Sequence, residues 1–397
     1  MSWGLNFSRR CSFTKMASLR MVILKGASLP LSMGVCTRAP GPRRQVIAGM
    51  VRCMSIDLSQ KKSIVFLGTP SVAAAVLDAL LDAAEGSSLF EVTGVVTQPA
   101  STRGRGRKKE PSPVEQRALE RNFPASHIFS PLKAGEESFL TGLKELKPDL
   151  CVTAAYGNIL PNKFLSLPTC GTVNVHPSLL PLYRGAAPVQ RALQDGVTVS
   201  GVTVAYTVRA LDAGPIIASK SMEIDPDVKA PELLKILFQQ GSTLLLGELP
   251  AILDGTARTK AVEQDHSKAT LAPKVTVDES WLNFDDSAEV LHNKVRAFAE
   301  WPGTRATFQL CSPDGEVQTV ELKVVTTRIG SSASTGGLEV SLVNGSLVVP
   351  CGKDSTLEIL QLQPPAKKVM SGRDFFNGLR GRKLMIDARS CFKLASC

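Results

Sequence analysis

Thr172-Val173-Asn174-Val175-His176-Pro177-Ser178-Leu179-Leu180-Pro181 sets an amide and an imidazole on one face of a strand that then turns sharply. Residues 172–176 are β-prone and alternate. Side chains repeat every two positions along a strand, so Asn174 and His176 point the same way. Pro177 and Pro181 stop the strand, because proline lacks an amide donor and pushes the residue before it toward extended geometry. They bracket Ser178-Leu179-Leu180 as a short rigid loop at the strand's carboxyl end, where open α/β sheets keep their ligand sites. Taken alone, Asn-x-His is also the mark of a packed or capping histidine, so its surroundings must decide.

Upstream, Lys62 to Leu67 reads as a buried strand ending in Gly68-Thr69-Pro70, followed by an alanine-rich helix over 71–84. A strand at 91–97, a helix near 113–121, a short strand near 127, a helix near 136–146 and a strand at 149–154 continue the alternation. Strands alternating with helices predict an α/β fold built on a doubly wound, mostly parallel, Rossmann-like sheet. Neither G-x-G-x-x-G after the first strand nor a Walker A motif is present, so a dinucleotide or NTP enzyme would lack its phosphate cradle. A helical pattern over 231–252 closes this domain, which we bound at 56–253. Residues 254–277, polar and poor in periodicity, read as a linker. In the C-terminal domain, 278–397, a helix over 286–299 ends at Trp301-Pro302-Gly303. Short alternating strands separated by Ser-Pro-Asp-Gly, Val-Asn-Gly and similar turns then predict a small β-barrel.

The first 56 residues carry nine arginines and lysines and no acid. That composition, with its serines and short apolar clusters, predicts a mitochondrial or plastid transit peptide over 1–55 instead of a secretory signal. A basic arm that stays on the protein is the alternative. Of the 46 Lys and Arg, those nine leave 37 against 36 acids, a net charge of about +1 for residues 57–397. Any nucleic-acid argument must therefore rest on local patches. The nine cysteines form no C-x-x-C pair, so neither a zinc site nor a disulfide framework is indicated. No stretch approaches the roughly 20 apolar residues of a membrane span, and the mature chain is expected to be soluble, without a membrane partner, and a monomer.

Downstream of the Asn-x-His strand come Tyr183-Arg184-Gly185 and then Leu211-Asp212-Ala213-Gly214-Pro215. With Asn174-Val175-His176-Pro177-Ser178-Leu179-Leu180-Pro181, these resemble the signature of the folate-dependent formyltransferases, in the version used by the members that act on tRNA. Further similarities run along nearly the whole mature chain. They include Phe66-Leu67-Gly68-Thr69-Pro70, Val95-Val96-Thr97-Gln98-Pro99, Ala155-Tyr156-Gly157, Ile159-Leu160-Pro161, Ala272-Pro273-Lys274 and Arg373-Asp374-Phe375-Phe376-Asn377-Gly378. Ala100, Asn158 and Leu271 depart from the residues usual there, which bears on local loop contacts and not on the chemistry.

The resemblance implies transfer of a formyl group from N10-formyltetrahydrofolate to the α-amine of methionine on initiator tRNA, with an OB-like C-terminal barrel that binds tRNA. Attack of an amine on a formamide carbon develops negative charge on oxygen and positive charge on nitrogen. Asn174 and His176 can donate hydrogen bonds to the first, each such donor being worth about a hundred- to a thousandfold in rate. Asp212 would orient His176 and, through water, accept the proton from the second; Asp-x-Gly is otherwise a common turn. No metal is needed. Leu179, Leu180, Pro181 and Leu182 are expected to line the folate pocket, with Thr97, Gln98, Tyr156 and Gly157 opposite.

Thr102-Arg103-Gly104-Arg105-Gly106-Arg107-Lys108-Lys109 holds five cations in a glycine-interrupted loop just after a strand end. A charge run is ordinarily a solvated face. Here the position and the adaptable glycines suit Arg103, Arg105, Arg107, Lys108 and Lys109 to tRNA phosphates. The second cluster, Lys367, Lys368, Arg373, Arg380, Arg382 and Lys383, serves solubility equally well. Two other readings compete: a formyl-folate hydrolase or small-amine formyltransferase of the same fold, and an RNA-binding protein that keeps the scaffold without catalysis. Intact Asn174, His176 and Asp212 oppose the last. The basic loop and the extra β domain oppose a small-amine acceptor.

Overall fold

The computed structural model describes residues 60–102, 109–331, 333 and 337–387; the readings made for residues 1–55, Arg103, Arg105, Arg107 and Lys108 lie outside the described residues. The described residues form one unit. Its first half runs β1 (Lys62–Gly68), α1 (Ser71–Glu85), β2 (Phe90–Val96), β3 (Ser101–Thr102), β4 (Lys109–Glu110), α2 (Pro113–Glu120), β5 (Ile128–Phe129), α3 (Glu137–Glu145), β6 (Leu150–Ala154), α4 (Asn162–Leu165), β7 (Thr172–His176), α5 (Pro188–Gln194), β8 (Val199–Tyr206), β9 (Ile216–Glu223) and α6 (Ala230–Leu253). Seven of the strands form one sheet in the order β5-β2-β1-β6-β7-β8-β9. The first five run parallel, while β8 and β9 are antiparallel to their neighbours. The chain goes to one side of β1 first and then returns to the other side at β6. This is the topological switch point outside which open sheets bind ligands.

The strands follow from their composition. β1 and β6 are near-continuous apolar runs, as strands covered on both faces must be. Helices α1 and α6 cover one face, packing Leu77, Leu80, Phe238, Leu245 and Leu249 onto Ile64, Phe66, Val173, Val175 and Val204. Gly241 lets α6 approach closely: a Cβ there would lie 2.5 Å from Val175 Cγ1 and 2.9 Å from Val202 Cγ2. The helix therefore presses directly behind the strand that carries Asn174 and His176. α6 is also, by length and composition alone, apolar enough to cross a membrane, a span that the sequence reading does not anticipate. Its buried residues belong to two cores: Phe238, Leu245, Leu249, Ile252 and Leu253 lie under the sheet, and Ala230, Leu233 and Leu237 pack with Val189, Leu193, Ala297 and Phe298.

The segment 254–277 is more ordered than its polarity predicts. It contains α7 (Thr256–Lys260) and a 3₁₀ turn at His266–Lys268. It also lies along the loop after β7, with Arg184 N donating to Thr270 O at 2.9 Å and Ala272 N to Arg184 O at 2.7 Å. The second half comprises α8 (Ala288–Ala297), β10 (Thr304–Cys311), β11 (Val317–Ile329), β12 (Ser341–Val343), β13 (Ser346–Cys351), β14 (Ser355–Gln363), β15 (Met370–Ser371), α9 (Gly372–Asn377) and β16 (Lys383–Ile386). These strands form an antiparallel sheet in the order β12-β13-β14-β11-β10-β16. The edges meet, because Val340 N donates to Leu384 O and Ile386 N to Leu338 O, so the barrel is nearly closed by β16. Leu291, Phe308, Leu347, Ile359 and Leu384 fill its core.

Polar contacts tie the halves together. Lys229 Nζ donates to Val325 O and Thr326 Oγ1, and the Arg191 guanidinium pairs with Glu279. That pairing holds the Glu279 carboxyl down at about 2.

Candidate active site

Asn174, His176 and Asp212 converge at the carboxyl end of β7. Thr153 on the adjacent strand β6 stands in register with Asn174 and donates to its Oδ1 at 2.8 Å. That bond fixes the amide orientation, leaving Nδ2 as the outward donor, 3.4 Å from Asp212 Oδ1. His176 is 4 % exposed, and its Nε2 lies 3.0 Å from Tyr183 O. A carbonyl can only accept, so Nε2 carries a proton, and the nitrogen facing Asp212, at 3.9 Å from Oδ2, is Nδ1. For His176 to donate toward a substrate oxygen from Nδ1, the ring must be an imidazolium.

Asp212 occupies a left-handed backbone conformation, φ 46°, which aspartate tolerates better than most residues. Its Oδ2 accepts from Gly185 N at 2.9 Å, so the carboxylate is also held by the loop after β7. Two glycines make this possible. At Gly185, φ is 127°, and a Cβ would lie 2.6 Å from Ala272 O; at Gly214 a Cβ would lie 1.8 Å from Tyr206 O. Tyr183 and Ala155, at φ 58° and 46°, add to the unusual conformations clustered around this strand end. Such clustering is common at functional sites.

The expected folate-facing residues lie on neighbouring strand ends. Gln98 Nε2, 3.4 Å away, and Thr69 Oγ1, 2.9 Å away, both donate to Tyr156 O, joining the loops after β1, β2 and β6. Gly157 faces open space, Ile159 is 88 % exposed and Leu182 40 %. Thr97 is fully buried, its hydroxyl shared with Ser112 at 2.6 Å. Leu180 is buried with its N–H donated to Thr203, while Leu179 packs beside Gly201 and Pro181 is half-buried. Ser178 is buried and its hydroxyl donates to Leu182 O. Lys109, on β4, is exposed. In the C-terminal cluster Lys367, Lys368, Arg373 and Arg380 are exposed, whereas Lys383 pairs with Glu339 at 3.0 Å and Arg382 donates to Leu379 O at 3.2 Å.

Sequence reasoning missed Thr153, Arg184 and Gln264. Thr153 reads as one more residue of a buried strand, and only the parallel register brings it to Asn174. Arg184 belongs to the recognised signature, yet its guanidinium is buried against Gln264, inside a segment whose lack of periodicity marked it as a linker.

An amide, an imidazole and a carboxylate gathered on one strand end can polarise a carbonyl and move a proton, the combination an α/β group-transfer enzyme uses. Residues 61–248 match the formyl transferase family and residues 274–380 the formyl transferase C-terminal domain. Methionyl-tRNA formyltransferase of Thermotoga maritima is 38 % identical over 316 residues, covering 79 % of this chain and 95 % of that protein. The Bacillus licheniformis enzyme of the same name is 36 % identical, covering 79 % and 94 %. The chain belongs to the formyl transferase family, in its methionyl-tRNA formyltransferase branch. Two solved structures share the fold. A sugar 3N-formyl transferase, crystallised in the presence of dTDP and 5-N-formyl-THF, has a TM-score of 0.54 at 15 % identity, covering 78 % of this chain and all of that one. An N-formyltransferase from Helicobacter canadensis, in complex with folinic acid and dTDP-3-aminofucose, has a TM-score of 0.54 at 16 % identity, covering 77 % and 100 %.

Proposed function

We propose that this chain transfers the formyl group of N10-formyltetrahydrofolate to the α-amine of methionyl-tRNA, making the initiator for translation in the mitochondrial matrix. The observation that carries the reading is the Asn174–His176–Asp212 cluster, in a chain that matches both domains of its methionyl-tRNA formyltransferase relatives. The folate co-substrate supplies the formyl carbon. The strand ends at the switch point suit it: Ile159 and Leu182 offer exposed apolar surface, and Gly157 leaves room beside Tyr156. Asn174 Nδ2 would donate to the carbonyl oxygen as it gains charge, and His176 beside it can add a donor from Nδ1 only as an imidazolium. The Asp212 carboxylate holds that imidazolium and accepts, through water, the proton that the attacking amine must lose. The purified chain starting at Ser55, given formyl-folate and either charged initiator tRNA or free methionine, should formylate only the charged tRNA. Formylation of free methionine, or release of formate alone, would replace this reading with a small-amine or hydrolase activity.

The matrix location rests on the acid-free composition of residues 1–56 and on the family match, which begins at residue 61. The mature N-terminus should fall within residues 53–57, where that composition ends just past Arg52. Mass spectrometry of the organellar protein reads it directly, and an intact Met1 inside the organelle would refute cleavage there.

A further inference from the structure

Gln264 lies in the segment between the two domains, yet it is only 5 % exposed. Its Nε2 donates to Asp212 O at 2.9 Å and to Gly214 O at 2.7 Å. Its Oε1 accepts from Arg184 Nε at 3.1 Å and Nη2 at 2.6 Å. The amide can sit in one orientation only, because reversing it would put NH₂ against a guanidinium and the oxygen against two carbonyls. Arg184, 8 % exposed, also brings Nη2 within 3.1 Å of His266 Nδ1. The hydrogen bonds of these two side chains go to each other, to His266 and to the carbonyls of Asp212 and Gly214, not to Asn174 or His176. What they hold is the backbone on which Asp212 is mounted.

We propose that Gln264 is a positioning residue for the catalytic carboxylate, fixing Asp212 by gripping the carbonyls of Asp212 and Gly214. The side chain of Asp212 is restrained on one side by Gly185 N. Its main chain, in the left-handed region at φ 46°, needs a separate restraint, and buried carbonyls turned inward need donors. Gln264 supplies both donors from outside the sheet that carries Asn174 and His176. The same segment then pairs with Arg184 through Thr270 and Ala272 on its way to the C-terminal domain. The seating of this connector on Arg184 and the placement of the carboxylate are therefore one structural event, and the site is complete only when the connector is docked.

The inference rests on the formyl-transfer reading above. Gln264→Glu tests it with little change of shape: the carboxylate still accepts from Arg184 but offers no donor to the two carbonyls. We expect kcat for formylation to fall about ten- to a hundredfold, the effect of a small misplacement of a reacting group. KM for methionyl-tRNA and for formyl-folate should stay within about twofold. In an Asp212→Ala background, measured by single turnover, the same change should alter the rate by less than about twofold, because the group it acts through is gone. Wild-type kcat in Gln264→Glu, a change confined to KM, or an undiminished loss in the Asp212→Ala background would overturn the proposal. Should Gln264→Glu fail to fold, Arg184→Lys, which keeps the charge but cannot form both bonds to Oε1, reads the same clamp from its other side with the same expected pattern. A wild-type chain that formylates no tRNA would overturn the functional reading, whereas active wild type with unaffected variants overturns the inference alone.

Discussion

Replacing Asn174 or His176 by alanine lowers turnover by at least about a hundredfold while the protein keeps its fold and its affinity for tRNA. The two side chains project from one strand end toward Asp212, so each loss removes a donor from the side on which a carbonyl would be polarised. The fold should survive Asn174→Ala. Thr153 Oγ1, which loses its acceptor on Asn174, still donates to Val173 O, and Val173 and Val175 keep the strand's place in the core. His176→Ala removes a buried ring and the donor to Tyr183 O, so some loss of stability accompanies it. Single-turnover formylation, thermal unfolding and tRNA binding separate these effects. Near-normal turnover in either variant takes that residue out of the catalytic set. Because the three groups act as a unit, the double variant should be little worse than the more damaged single one.

The sheet was legible where its residues are covered on both faces and its turns are marked. Phe66-Leu67-Gly68-Thr69-Pro70 and Thr172 to Pro177 state a strand, its end and its face, and the strands lie there to within about one residue. Direction was not legible. The run Val199–Tyr206 is apolar enough to be buried along nearly its whole length, which marks a covered strand but not which way it runs, and β8 is antiparallel. The contribution of the connector was invisible for a different reason. Gln264, Thr270 and Ala272 act through a few hydrogen bonds to a loop some 80 residues earlier, and such contacts leave no periodicity. The tautomer of His176 likewise depends on where Tyr183 O falls after the loop folds back, which spacing along the chain does not encode.

Neutralising Arg103, Arg105, Arg107, Lys108 and Lys109 together should weaken tRNA binding strongly and flatten its salt dependence, with folate affinity nearly unchanged. The described ends of this segment are placed for it. Thr102 pairs with Lys109 in a two-stranded ladder just beyond β2, whose end, through Gln98, touches the Tyr156 carbonyl beside Gly157. Five cations at that point exceed what one folate, with its two carboxylates, would use. Each phosphate neutralised contributes about −0.7 to −0.9 to the slope of log affinity against log salt. If all five cations engage phosphates, a fourfold rise in salt should cost the wild type about 10² to 10³ more in affinity than the variant. Filter binding across a salt series, with folate titrations alongside, gives both slopes and the control. An unchanged salt slope together with lost folate binding would assign the loop to the folate instead, and the tRNA phosphates would then have to be met by Lys367, Lys368, Arg373 and Arg380 on the barrel, which are exposed.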